Sequence, residues 1–107
     1  MRMLGWVILM SGNKKIVVTR HRALVEYLRE EGMVDDNVPV VDHASPDDVR
    51  GKHVFGVVPT LLALHADRVT EVPISVPREL RGKELSLEDV RKYAQSPITY
   101  KVVRLDG

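Results

Sequence analysis

A doubly wound α/β domain, with a small, mostly parallel sheet and helices on both faces, is the fold class that this sequence predicts. Two runs, Lys15-Ile16-Val17-Val18-Thr19 and His53-Val54-Phe55-Gly56-Val57-Val58, have the nearly continuous apolar, β-branched character of strands buried on both sides. Each passes directly into a stretch with helical patterning. The full order is strand, helix, strand, strand, helix, strand, helix, strand, the alternation that parallel sheets with crossover helices require.

The first strand ends at Arg20-His21 and leads into a helix from Ala23 to Glu31. There Leu24, Val25 and Leu28 make an apolar stripe, while Glu26, Arg29 and Glu30 face water. Gly32 is placed to close that helix. Val38-Pro39-Val40-Val41 is the second strand, with Pro39 marking an edge or the strand's first residue. Asp42 to Pro46 makes a turn, and Ser45 is placed to cap a short helical turn from Pro46 to Val49.

After the third strand, Pro59-Thr60 opens a helix carrying Leu61, Leu62, Leu64 and Ala66. Val69 to Val76 reads as a fourth strand broken by Pro73, and Pro77 to Leu85 as a polar loop. Ser86 caps the next helix, with Glu88 and Asp89 against its positive end and Val90, Tyr93 and Ala94 facing inward. Ile98 to Leu105 is the expected last strand, with Ile98, Tyr100 and Val102 turned inward and Thr99 and Lys101 exposed.

The 107 residues fit one domain, expected over residues 15–107 and preceded by an N-terminal extension of residues 1–14. A core of that size is modest, which favours self-association. Sixteen basic against fifteen acidic side chains leave a net charge of +1, so neither long nucleic acid nor an acidic membrane is an expected partner. Any phosphate recognition has to be local. The absence of cysteine excludes disulfides, thiolate chemistry and cysteine zinc sites, and it suits the reducing cytoplasm, the expected location. Met3 to Met10 is apolar but only eight residues long, against roughly 20 for a membrane span. It lacks a small-residue cleavage site. It reads as an extra edge strand or, preferably, as an extension upstream of a start at Met10, with Ser11-Gly12-Asn13-Lys14 as a polar leader.

In doubly wound sheets, ligands sit beyond the carboxyl ends of the strands at a topological switch point. Thr19-Arg20-His21, Asp42-His43 and Pro59-Thr60 converge on that edge. The first group joins a hydroxyl, a fixed cation and an imidazole at a helix start, where free N–H groups and the helix dipole favour an anion. The arginine fork suits phosphate oxygens. Thr19, Arg20, His43, Pro59 and Thr60 are therefore the candidate ligand-binding residues, and His21 with Arg20 the candidate catalytic pair. The plainer reading is that Thr19 to His21 only cap a helix and that His43 sits in a solvent-facing turn. An acid–base role for His43 requires it to reach the same anion as His21.

His53 and His65 read as structural. No histidine and carboxylate residues have the spacing of a metal site, so neither a metal nor another cofactor is expected. Gly51, Gly56 and Gly82 form no phosphate loop, and Arg78 to Glu84 reads as a solvated mixed-charge surface.

Three segments in order carry a family resemblance. These are Val17-Val18-Thr19-Arg20-His21 with Glu26-Tyr27-Leu28, then Pro59-Thr60-Leu61-Leu62-Ala63, then Val76-Pro77-Arg78-Glu79-Leu80-Arg81-Gly82-Lys83-Glu84-Leu85-Ser86. Over roughly residues 15 to 102 the chain resembles a small CRISPR-associated family found with type III systems. Asp42 to Asp47 follows that family's acidic, proline-containing turn more loosely.

The resemblance implies a stand-alone ring nuclease with a Rossmann-like core. Such a protein binds a cyclic oligoadenylate second messenger, usually the four-membered ring, at a two-fold homodimer interface and cuts it. It does so without a metal, by in-line attack of a ribose 2′-hydroxyl that leaves a 2′,3′-cyclic phosphate. On that reading Arg20 holds a phosphate, Thr19 and Thr60 help to position the backbone, and His21 assists proton transfer. Two other readings stay open. One is a non-catalytic module that sequesters the ring. The other is a histidine-type phosphohydrolase, for which Arg20-His21 is in place but Arg22 stands where glycine belongs and the chain is short.

Overall fold

The computed structural model describes residues 14–106. The two apolar runs lie side by side as β1 (Lys15–Val18) and β3 (His53–Gly56), paired in parallel from Lys15 opposite His53 to Val18 opposite Gly56. β2 (Val40–Val41) pairs in parallel with the other edge of β1, and β4 (Arg68–Glu71) in parallel with β3. β5 (Ile98–Tyr100) closes the sheet antiparallel to β4. The order β2-β1-β3-β4-β5 reverses direction between β1 and β3, so this small, mostly parallel, Rossmann-like sheet has its switch point there.

Helices cover both faces because the strands alternate between two apolar clusters. Ile16, Val18, Val54 and Val69 pack with Val49 at the end of α2 (Pro46–Val49) and with Ala63 at the end of α3 (Thr60–Ala63). Val17 and Phe55 turn the other way, onto Val25 and Leu28 of α1 (Arg22–Glu30). The buried stripe of α1 is Ala23, Val25 and Leu28. Leu24 is only half-buried, because it borders the cavity described below. α4 (Leu87–Tyr93) lies beside α1, and Arg91 ties them with two bonds to Glu30 (2.7 and 2.8 Å) and one to Glu88 (2.8 Å).

The serine caps form as expected. The Ser45 hydroxyl accepts from the Asp48 N–H while Asp48 accepts from the Ser45 N–H, and Ser86 and Asp89 repeat the exchange. Gly32, just past α1, takes the left-handed conformation that ends helices.

Four expectations are corrected. The second strand is limited to Val40–Val41, with Val38 and Pro39 leading into it. The helix opened by Pro59-Thr60 stops at Ala63, and within it Leu62 and Ala63 pack on the core while Leu61 is 76% exposed. The chain must turn there, since the Asp67 N–H bonds the Lys52 carbonyl and the His65 carbonyl accepts from Gly51, which aligns β4 with β3. β4 ends at Glu71, because Pro73 has no N–H to continue the ladder. The next residues pair instead with the end of α4, through an Ile74–Ala94 bridge and bonds from Ser75 to Tyr93 and from Gln95 to Pro73. Lastly, β5 spans three residues and Ile98 is 56% exposed. Tyr100 and Val102 pack against the cluster as expected, but Ile98 lies at the last rung, opposite Glu71.

No described helix is long and apolar enough to cross a membrane. Residues 1–13 of the expected extension, with the reading of Met3 to Met10 as an edge strand or an upstream extension, lie outside the described residues.

Gly56 controls how closely β1 and β3 approach at their carboxyl ends. Its φ is +128°, and a Cβ built there would stand 2.2 Å from the Val18 carbonyl oxygen. Gly56→Ala is therefore expected to cost at least about 1–3 kcal/mol of stability from the backbone conformation alone. A lowered urea midpoint measures this; an unchanged midpoint would show that the strands do not meet so tightly.

Candidate functional site

A cavity of about 560 Å³ opens beyond the carboxyl ends of β1 to β4, across the switch point. Thr19, Arg20 and His21 reach it from β1, Asp42 and His43 from β2, and Val57, Val58 and Pro59 from β3. The three segments singled out in the sequence thus meet at one place. Thr60 does not join them: it is exposed at the first turn of α3, and Leu62 lines the wall instead.

Thr19 makes the turn from strand to helix. Its N–H donates to the Val41 carbonyl (3.0 Å), extending the β1–β2 ladder by one rung. Its hydroxyl oxygen accepts from the His21 N–H (3.1 Å), which bends the chain into α1. His21 is the N-cap residue, yet no side chain caps this helix; the Leu24 N–H turns back onto the His21 carbonyl (3.1 Å), which leaves the Arg22 and Ala23 N–H groups as its open donors among the described residues. The plainer reading therefore holds for Thr19, whose hydroxyl serves the local turn, and not for the His21 ring.

Arg20 is exposed and makes no hydrogen bond or ion pair with the described residues. His21 Nδ1 lies 4.0 Å from a carboxylate oxygen of Glu84. The loop from Val76 to Ser86 therefore comes back beside the first strand's end, where Glu84 and Leu85 share a shallow groove with Arg20. Glu84 is exposed, as a solvated loop predicts, but its position next to His21 was not visible in the spacing. His43 and Asp42 are both exposed at the rim.

Sequence reasoning missed the wall after β4, formed by Glu71, Val72, Pro73 and Ile74. The signal available was Pro73, which forces the chain out of the sheet and over the cavity. Glu71 accepts a hydrogen bond from the Tyr100 hydroxyl. That bond to a negative carboxylate pushes the tyrosine pKa up to about 12.

The other two histidines lie elsewhere. His53 begins β3, stacks on Phe55 and bonds Thr70 (2.6 Å), which in turn bonds Thr99 (2.7 Å). His65 Nδ1 lies 3.4 Å from Arg50 Nη1. Among the described residues, no group of three or more His, Asp or Glu side chains is placed to hold a metal ion.

The fold and cavity together define a small α/β protein with basic and imidazole side chains gathered at the switch point of its sheet. The chain belongs to the family described as "Putative CRISPR-associated protein (Cas_VVA1548)", whose model matches residues 16–103. That span holds β2 to β5 and all of β1 but its first residue, Lys15, together with the whole cavity wall and the Val76 to Ser86 loop. No curated protein and no solved structure matches the chain.

The pKa of His53 is lowered, first by burial and then by Arg68 and Lys15 nearby. Unfolded chains take up that proton near 6.5, whereas the folded protein resists it, so this contribution to stability is present above 6.5 and lost as pH falls below it. The carboxyls of Glu30, Asp48 and Asp67 are also held below their usual values, and their contributions are lost only from about 4.5 downward. Urea midpoints are expected to fall between pH 7 and 5, and His53→Gln should flatten that part of the profile. An unaltered slope in the variant would assign the loss to other groups.

Proposed function

We propose that this protein is a ring nuclease that binds cyclic oligoadenylate, with cyclic tetra-adenylate the expected ring, and cleaves it. It would act in the cytoplasm to switch off type III CRISPR signalling. One observation carries the reading: Arg20, His21 and His43 stand around one cavity beside an uncapped helix start, in a chain of a CRISPR-associated family.

Arg20 and the open N–H groups of Arg22 and Ala23 at the start of α1 hold a phosphate of the ring. Thr19 uses its oxygen as an acceptor for the turn and has its O–H left to donate to the ligand. The ribose 2′-oxygen attacks the adjacent phosphorus as the bond to the 5′-oxygen breaks. The products are a 2′,3′-cyclic phosphate and a 5′-hydroxyl. One proton leaves the attacking hydroxyl and one reaches the departing oxygen. His21 serves one of these transfers, with the Glu84 carboxylate near its Nδ1 to orient the ring. Holding the hydroxyl in line supplies much of the acceleration, and cationic stabilisation of the phosphate oxygens supplies the rest.

A rotationally symmetric ring suits an isologous homodimer. Val57, 76% exposed at the cavity rim, and the exposed Leu61 offer apolar surface for one.

The test is chromatography of purified protein incubated with cyclic tri-, tetra- and hexa-adenylate in excess EDTA. The tetra-adenylate is expected to yield linear products ending in 2′,3′-cyclic phosphate. Arg20→Ala should slow cleavage about 10²–10³-fold, and His21→Ala roughly 10²–10⁴-fold with binding largely kept. A ring recovered intact but bound would make the protein a sink, and free phosphate would make it a phosphohydrolase. Loss of turnover in EDTA, restored by magnesium or manganese, would overturn the metal-free mechanism.

A further inference from the structure

The cavity is not uniformly suited to phosphate. Its cationic and imidazole groups come from the ends of β1 and β2, with the exposed Asp42 carboxylate at the rim beside them, whereas the half-buried Glu71 closes the end of β4. Glu71 is half-buried and lines the cavity, while Tyr100, which bonds one of its carboxylate oxygens, sits outside the lining and packs into the core cluster. Tyr100 thus holds one oxygen, and the other makes no hydrogen bond or ion pair with the described residues. The negative charge on Glu71 keeps Tyr100 a neutral donor, with its pKa pushed up to about 12.

A fixed carboxylate repels phosphate and attracts a hydrogen-bond donor. β4 lies two strand spacings from β1, about 10 Å, close to the reach of a nucleotide from its phosphate to the far edge of its base. Between the two ends the wall is apolar, formed by Val58, Pro59 and Leu62, which suits the flat faces of a base. A phosphate held at Arg20 therefore puts the base edge, and not its own ribose, near β4.

We infer that Glu71, held by Tyr100, is the residue that recognises the exocyclic amine of a bound nucleobase and so selects adenine. The inference rests on the ring-binding reading above and adds the specificity determinant to it. Tyr100 is a positioning residue, since it acts only through Glu71.

The test measures equilibrium binding of three rings to the full chain carrying His21→Ala, which keeps the rings whole. The rings are cyclic tetra-adenylate, the same ring with hypoxanthine bases, and its 2′-deoxy counterpart. In E71Q the amide oxygen takes the Tyr100 bond and the amide N–H₂ faces the base, setting donor against donor. Affinity for cyclic tetra-adenylate should fall about 10- to 100-fold, while the hypoxanthine ring, with a carbonyl in place of the amine, should bind E71Q at least as well as the parent. Tyr100→Phe should weaken tetra-adenylate binding less, without reversing the preference. The ratio between rings within one variant does not depend on how much of it is folded. Equal losses on both rings, or no loss at all, would overturn the assignment while leaving ring binding intact. A penalty that vanishes with the 2′-deoxy ring instead would overturn it in favour of ribose recognition. If the parent binds none of the rings, the ring-binding reading fails and this inference falls with it.

Discussion

The contact between the Val18 carbonyl and the α-carbon of Gly56 sets the geometry on which the rest depends. β1 and β3 pair over four residues, and at the last rung only a residue without a Cβ fits against that oxygen. Because the strand order reverses at this pair, the chains leaving it diverge, one into α1 and the other through Val57 to Pro59 toward α3. The cavity is the space between them. A wider spacing at Gly56 would separate Thr19 from Pro59, so a feature of backbone packing decides whether the polar segments face one cavity.

Helix capping divides the molecule in a related way. Ser45 and Ser86, neither of which lines the cavity, each close a reciprocal capping box, and acidic residues reinforce both helix starts. α1 has no side-chain cap and no acidic residue in its first turn. An unmade N-cap forgoes about 1 kcal/mol, and Thr19 recovers only the His21 N–H. The chain satisfies these two helix starts away from the cavity and leaves donors open at α1, where the switch point lies.

Much of this was legible in the sequence where local signals are strong. The β-branched runs of β1 and β3, the serine caps and the convergence of Thr19, His43 and Pro59 all follow from patterns within a few residues. Periodicity failed where burial depends on a distant partner. It groups Leu61 and Ile98 with their apolar neighbours, yet both are exposed, because whether anything covers an apolar side chain is a property of the whole sheet. β propensity continues past Pro73 and predicts a longer fourth strand than the one that ends at Glu71, so it gives no sign of the cavity wall that follows. Glu71 and Tyr100 are 29 residues apart, and His21 lies still further from Glu84; no spacing rule connects them.

The two sides of the cavity are also mechanically joined at its back. The segment after β4 that walls the cavity, from Val72 to Ile74, is fastened to the last residues of α4 and just beyond by the Ile74–Ala94 bridge and the bonds at Pro73 and Ser75. α4 is fastened to α1 by Arg91, whose two bonds to Glu30 make a planar fork, the arrangement of an ion pair with defined direction. Glu30 is the last residue of the helix whose first turn opens at Arg20 and His21. The cationic side and the Glu71 side are therefore referred to one another twice, through the β1–β3–β4 ladder in front and through the α1–α4 fork behind. Two such independent ties hold the spacing between the two ends of a pocket far better than a single loop could. For the proposed recognition of a base at Glu71 this matters, because discrimination by a hydrogen bond requires both partners to be held in place.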